Sequence, residues 1–332
     1  MAYAAFRSIG AYIPPKIMTN FDFEKIIDTS DEWITKRTGI KERRLAEDNE
    51  ASSDLGARAA EQAIQRAGIS KEEIDLVICA TVTPDYLCMP STACLIASKL
   101  ELPPVQAFDI SAACTGFVYA TSLAKAFIES GMKKCVLIIG AEKYSSILDY
   151  TDRSTCFIFG DGAGAAIISA TDKKEEAIID VSCNSDGNYD DLIQTPGGGS
   201  KNPCSQEVLD NKMACIRMKG NETFKLAVKT LTSDVKELLA KNNLSNEDIT
   251  HFIPHQANYR IIKAVGDALK LNDKQTVVTV DKYGNTSAAS IPMAMNYAYE
   301  EGRIKAGDNI LFDAFGAGLT WGSALFPFSP KK

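Results

Sequence analysis

Short runs of branched apolar residues alternate along the chain with longer alanine-rich stretches, and polar turns separate them. "ISKEEIDLVICATVTPDY" (Ile69 to Tyr86) has a serine and an acidic turn, enters an apolar strand and ends in a polar loop. "LSNEDITHFIPHQANYR" (Leu244 to Arg260) repeats that order. A second pair, "CTGFVYATSLAKAFIESG" from Cys114 and "NTSAASIPMAMNYAYEEG" from Asn285, passes from a small polar turn into an alanine-rich helix that stops at Gly131 or Gly302. "KKCVLIIGAE" (Lys133 to Glu142) and "AGDNILFDAFG" (Ala306 to Gly316) form a third. The members of each pair lie roughly 170 to 175 residues apart, so the chain reads as two copies of one unit rather than a solenoid.

Strands alternating with helices in each copy predict an α/β fold with mixed sheets. The nearly charge-free helix after Cys114 predicts burial on both faces. Charge density rises at "SATDKKEEAIID", which sets the join between an N-terminal half, 1–172, and a C-terminal half, 173–332. The Gly-, Pro- and Ser-rich "QTPGGGSKNPCSQEV" (Gln194 to Val208) reads as a surface loop. In this alignment Cys114 and Asn285 occupy equivalent places, each opening a helix. A pseudo-twofold arrangement then brings them together at the centre, and His255 follows the strand of the second copy.

Composition adds limits. At 332 residues, 45% hydrophobic and 24% charged, the chain has ordinary globular material for a core. A net charge of −7 argues against general nucleic-acid or anionic-membrane binding. The opening "MAYAAFRSIGAYIPPK" reads as neither a signal peptide nor a membrane span, because Arg7 interrupts it and Pro14-Pro15 ends it. The nine cysteines are odd in number and none is spaced C-x-x-C, which points to reduced thiols in the cytoplasm and away from a zinc site.

One thiol is set apart. Cys114 stands at a helix start among Ala112, Ala113 and Gly116, small neighbours that clear space for a substrate. Unpaired N–H groups and the helix dipole there favour thiolate, and a nearby imidazole would favour it further. Of two histidines, His255 follows Pro254 at a strand end and is succeeded by Gln256, Asn258 and Arg260. Open α/β sheets bind ligands at such carboxyl ends. His251 lies four residues earlier on the same strand, roughly 13 Å away at strand rise. Asn285, in "DKYGNTSAASIP", also has the look of a plain turn and helix cap; its pairing with Cys114 in the repeat makes a catalytic amide credible. "FGDGAGAAIIS" (Phe159 to Ser169) is a loose dinucleotide fingerprint, but strand-like sequence follows where a helix should begin, so close packing is preferred. "DAFGAGLTWGSALF" (Asp313 to Phe326) reads as a turn between strands whose backbone N–H groups could face the cysteine.

Several longer motifs occur in one order: "SDEWITKRTGIKERR", "AACTGF", "TDRSTCFIFGDGAGAA", "GNETFKLAV", "PHQANYRII", "GNTSAAS" and "AFGAGLTWGSALF". Together they resemble the thiolase superfamily and, within it, the beta-ketoacyl-[acyl-carrier-protein] synthase III family, over essentially the whole chain. The resemblance implies a duplicated five-layer αβαβα sandwich, a homodimer, and an initiating decarboxylative condensation of an acyl-coenzyme A primer with malonyl-acyl carrier protein. It assigns Cys114 as nucleophile, His255 and Asn285 as donors to the enolate, and the backbone N–H groups of Cys114 and Ala317 as the oxyanion hole. Trp33, Arg37, Arg153 and Asn258 are implied to hold coenzyme A, and Arg260, Lys263 and Lys225 to meet the acidic carrier. Asp267 falls on the same helix face and dilutes that patch. Met89 and Phe315 are implied to line the acyl pocket, where a flexible thioether at Met89 would admit a longer or branched primer. No metal and no cofactor beyond substrate coenzyme A is implied. Thiolases need a second cysteine near the C-terminus, and none follows Cys215. A starter condensing enzyme or acyltransferase of a polyketide, quinolone or related lipid pathway shares the triad and stays open, whereas a non-catalytic scaffold would not need the full set.

Overall fold

The computed structural model describes residues 2–331. The first sheet is built from β1 (Tyr3–Tyr12), β2 (Leu76–Ala80), β3 (Gln106–Ile110), β4 (Cys135–Lys143) and β5 (Asp161–Thr171), in the order β1-β5-β4-β2-β3. The β4–β2 and β2–β3 pairs are parallel and the other two antiparallel. The second sheet contains β6 (Asp180–Ser185), β7 (His251–Pro254), β8 (Asn309–Gly316) and β9 (Thr320–Pro327), ordered β7-β8-β9-β6, with only β7–β8 parallel. Both sheets are mixed, as the alternation predicts.

Side-chain parity explains why the sheets must be covered twice. On β2 and β4, Leu76, Ile78, Val136 and Ile138 face inward, while Val77, Cys79, Leu137 and Ile139 face outward. Strands buried on both faces lose the polar alternation of a surface sheet. Helices α1 (Asp31–Thr38), α2 (Ser52–Ala67), α3 (Thr92–Lys99), α4 (Gly116–Glu129), α5 (Gly220–Lys241), α6 (Tyr259–Ala268) and α7 (Ser290–Glu300) complete the main elements. α2 and α3 cover the outer face of the first sheet, and α5 and α6 that of the second. α4 and α7 lie between the sheets, where Phe117, Val118, Ile291 and Met295 meet Ile138, Ile253 and Phe312 in one core. Five layers result. Fully burying a side chain such as Phe312 contributes about 1.5–3 kcal/mol.

The glycines of "FGDGAGAAIIS" serve this packing. Gly162 and Gly164 lie on β5 against Met293 and Pro292 of α7, and a Cβ at Gly164 would fall 2.5 Å from the Pro292 Cβ. The stretch is a strand approached closely by a helix, in keeping with the rejected nucleotide loop.

The internal repeat is sharper in the structure than in the sequence. Short 3₁₀ turns, Ala113–Thr115 and Ser287–Ala289, precede α4 and α7, and the helix starts Gly116 and Ser290 are 174 positions apart. The first residue of each turn is left-handed, Ala113 at φ 46° and Ser287 at φ 49°. This register corrects one expectation: the counterpart of Cys114 is Ala288, and Asn285 stands three residues earlier, ahead of its turn. The two residues still meet because both turns lie at the junction of the central helices.

Candidate active site

Cys114 sits in the 3₁₀ turn between β3 and α4. The turn is held from the other half of the chain: Thr115 Oγ1 donates to the Thr320 carbonyl (3.1 Å), and Thr320 Oγ1 donates to the Ala112 carbonyl (2.9 Å). Gly316, at the end of β8, passes so close that a Cβ there would fall 2.7 Å from the Cys114 backbone nitrogen. Only glycine allows that approach.

His255 leaves β7 with its backbone N–H donating to the Asp313 carbonyl (2.7 Å). Its Nδ1 lies 2.6 Å from Ser290 Oγ at the start of α7, and Nε2 is buried without a partner. Asn285 is fixed by its backbone, whose N–H donates to the Ile158 carbonyl (2.9 Å) and whose carbonyl accepts from Gly160 N–H (3.0 Å). Asn285 Oδ1 accepts from Ser287 N–H (2.8 Å), leaving the amide nitrogen for the space beyond. Cys114, His255 and Asn285, at 8%, 5% and 6% exposure, line one cavity of about 1000 Å3 with Phe315 and Ala317.

Burial decides the charges here. It pushes the Cys114 thiol up to about 12, and it pushes His255 down to about 3. At neutral pH the imidazole is therefore uncharged. Burial thus opposes the expected thiolate, because a bare sulfur anion in this cavity has lost its water. The thiol and the imidazole line the same cavity.

The cavity opens toward exposed cations. The Arg37 and Arg153 guanidiniums lie 4.6 Å and 4.7 Å from the centre of the Trp33 ring, which Phe157 meets edge-on at 5.4 Å. Arg260 lies over Phe224 at 5.2 Å, and Lys225 lines the same opening. Asn258 is already engaged: Oδ1 accepts from Arg260 N–H (2.8 Å) as the cap of α6, and Nδ2 donates to the Arg37 carbonyl (3.0 Å). It fastens the wall that carries Arg37 and Arg260.

Two expected residues lie elsewhere. Met89 is 79% exposed, on a loop that leaves β2 and turns away from this cavity, beside exposed Tyr86 and Leu87. A pocket role for Met89 within its own chain is thus corrected. Lys263 pairs with Asp267 at 3.1 Å and borders a separate depression of about 150 Å3.

Tyr144 and Phe159 were missed. Their rings stack at 4.6 Å and wall the cavity by Cys114. Also missed were Ser287 and Ser290, both inside "GNTSAAS", where a serine reads as helix-cap chemistry. Glu142, a fully buried carboxylate ending the apolar run "LIIGAE", was the clearest overlooked signal. Among the described residues no cluster of three or more metal-ligating side chains occurs, and no helix is long and apolar enough to cross a membrane.

Two sheets enclosing paired helices, with the thiol at their junction, place the chain among the thiolase-fold acyltransferases. The solved 3-oxoacyl-[acyl-carrier-protein] synthase III of Aquifex aeolicus superposes with TM-score 0.90 at 45% identity, covering 98% of this chain and 100% of that one. Residues 108–187 match the family described as 3-Oxoacyl-[acyl-carrier-protein (ACP)] synthase III, and residues 239–328 its C-terminal part. Curated proteins named beta-ketoacyl-[acyl-carrier-protein] synthase III are similar throughout: that of Aliarcobacter butzleri is 83% identical over 100% of both chains, and that of a Sulfurovum species 69% over 99% of this chain and 97% of its own. The chain belongs to the beta-ketoacyl-[acyl-carrier-protein] synthase III family, the initiating condensing enzymes of fatty-acid biosynthesis.

Proposed function

We propose that the chain transfers the acyl group of an acyl-coenzyme A primer to Cys114 and then condenses it with malonyl-acyl carrier protein. The observation that carries this reading is the shared cavity of one thiol and two neutral donors whose other polar atoms are already engaged. Cys114 Sγ attacks the primer carbonyl and coenzyme A leaves. The backbone N–H groups of Cys114 and Ala317 receive the oxyanion. Malonyl-carrier then enters, carbon dioxide departs, and His255 and Asn285 hold the enolate oxygen until its carbon attacks the acyl-cysteine. The product is a 3-ketoacyl-carrier.

The bonding around His255 supports a donor role. Ser290 Oγ accepts from Gln256 N–H (3.2 Å), so its own proton is available to Nδ1, leaving the imidazole proton on Nε2 toward the cavity. Asn285 offers its amide N–H in the same way. Two uncharged donors suit an enolate that exists only briefly, because they are oriented before the charge forms.

Trp33, Arg37 and Arg153 are assigned to the nucleotide of coenzyme A, with guanidiniums meeting phosphates. Asn258 acts on the pantetheine arm chiefly by holding the wall it passes. Arg260 and Lys225 are assigned to the acidic carrier; Lys263, already neutralised by Asp267, contributes less. Phe315 lines the acyl end. No cofactor is assigned beyond substrate coenzyme A, and the cytoplasm is its assigned location. A homodimer is supported by the exposed apolar cluster Tyr86, Leu87 and Met89, which a second copy could cover. Intact mass spectrometry after mixing with acetyl-, isobutyryl- or hexanoyl-coenzyme A tests the core of the proposal. Acyl mass on the Cys114 peptide is expected; its absence with every thioester rejects the reading.

A further inference from the structure

Acylation must remove a proton from Cys114, and the obvious acceptor, His255, already has another role in the proposed reaction. In that reaction His255 Nε2–H donates to the substrate oxygen, and the thiol proton has no other assigned route. Beside the thiol lie two buried polar atoms with no hydrogen-bond partner, Ser287 Oγ and Glu142 Oε1, on residues with no exposed surface. Glu142 is the penultimate residue of β4, and its second oxygen is saturated: Oε2 accepts from Thr83 Oγ1 (2.6 Å), Val82 N–H (3.1 Å) and Thr81 Oγ1 (3.3 Å). Oε1 is thereby turned toward Ser287 and the Ala288 amide. Ser287 in turn faces Cys114 on its other side. Its backbone is left-handed, φ 49°, strain of a kind that gathers at working sites.

We propose that Ser287 and Glu142 form a proton path for the nucleophile: as Cys114 Sγ attacks, the thiol proton passes to Ser287 Oγ and the serine's own proton to Glu142 Oε1. The inference rests on the acyl-cysteine reading above. The sulfur electron pair forms the new S–C bond, the bond from the carbonyl carbon to coenzyme A breaks, and the departing coenzyme A thiolate takes its proton from water. When condensation releases Cys114 as thiolate, Glu142 returns the stored proton through Ser287, and the site is reset.

The surroundings suit a group that both accepts and returns a proton. Burial pushes the Glu142 carboxyl up to about 7, only partly offset by its bonds to Thr83 and Val82 and by Ser287 and Ala288. The titratable groups facing it are Cys114, Tyr144 and Cys79, all raised by burial and all neutral at pH 7. Lys143, next along β4, turns its ammonium to the Glu47, Asp48 and Glu50 carbonyls. Among the described residues no cation pairs with the carboxylate, so it is free to take up a proton. Tyr144 also faces Ser287, but its hydroxyl stays protonated and cannot be the acceptor.

The test is the rate of acyl-cysteine formation from acetyl-coenzyme A by the full chain, quenched at successive times and read by intact mass from pH 5.5 to 8.5. Wild type is expected to accelerate with rising pH up to an inflection near 7. Glu142→Gln and Ser287→Ala should each lower the maximal rate about 100-fold and flatten the profile, while half-saturating acetyl-coenzyme A stays the same. Glu142→Asp should restore an inflection at an intermediate rate. Either variant acylating within twofold of wild type, with the inflection retained, overturns the path. If Glu142→Gln fails to fold, Ser287→Ala decides alone, since its hydroxyl fastens no other element of the fold by a hydrogen bond. Wild type that never gains acyl mass would instead reject Cys114 as nucleophile.

Discussion

The two ends of the cavity solve the same problem by opposite means. At the closed end Cys114, His255 and Asn285 are buried, and desolvation favours the neutral thiol and imidazole. At the mouth Arg37, Arg153, Arg260 and Lys225 are exposed to water. Fixed uncharged donors cost no desolvation of an ion and act strongly where water is absent. Exposed cations attract phosphates from a distance but are screened by salt. In the proposed reaction, chemistry is thus assigned to the dry end and capture to the wet one.

Variants should separate these ends. Cys114→Ala should abolish acyl loading and lower turnover by roughly 10³-fold or more; full activity would remove the nucleophile. His255→Ala and Asn285→Ala should each slow malonyl decarboxylation about 10²–10³-fold, the loss of one oxyanion donor, while Cys114 is still acylated. Loss of acylation instead would reverse their roles. Ser290→Ala removes the bond that orients His255 and should cost about tenfold in decarboxylation, seen in maximal rate rather than in half-saturation. At the mouth, Trp33→Ala or Arg153→Ala should raise half-saturating acyl-coenzyme A a few-fold, about the worth of an exposed cation–π contact. Added salt should mimic that change in wild type and leave the acylation maximum alone.

The smallest effect is on stability. Glu142 has a folded pKa of about 7, above its unfolded value, so its contribution is present in acid and is lost as pH rises from the ordinary carboxylate range through 7. His255, depressed to about 3, acts oppositely: the folded state is favoured increasingly as pH rises from 3 to the ordinary imidazole range. The melting temperature of Glu142→Gln minus that of wild type should therefore grow between pH 5 and 8. A difference that is flat or falls with pH would show that the carboxylate does not resist ionisation in the fold.

The sequence exposed much of this because strands buried on both faces and helices buried all round leave apolar runs that are easy to align. The repeat placed Cys114 near Asn285, and polar residues clustered after Pro254 marked His255. The exact register was hidden because alanine-rich helices align almost equally well when slipped by three. Glu142 was obscured by its neighbours, since a lone acid at the end of an apolar strand looks like a solvent-facing terminus. The direction of the Met89 loop is set by where the chain leaves the sheet, and local composition does not encode it. Asn258 shows the converse difficulty: the same amide can cap a helix or meet a ligand, and only its bonds to Arg37 and Arg260 tell which.

The interior shared by α4, α7 and both sheets has a further consequence. Phe6 of the first sheet stacks on Phe326 of the second at 4.4 Å, and Thr320 ties down the turn that carries the thiol. Cutting the chain near residue 175 would strip each fragment of the wall against which its inner surface closes. Each half supplies part of the other's interior, so either fragment alone should expose a broad apolar face.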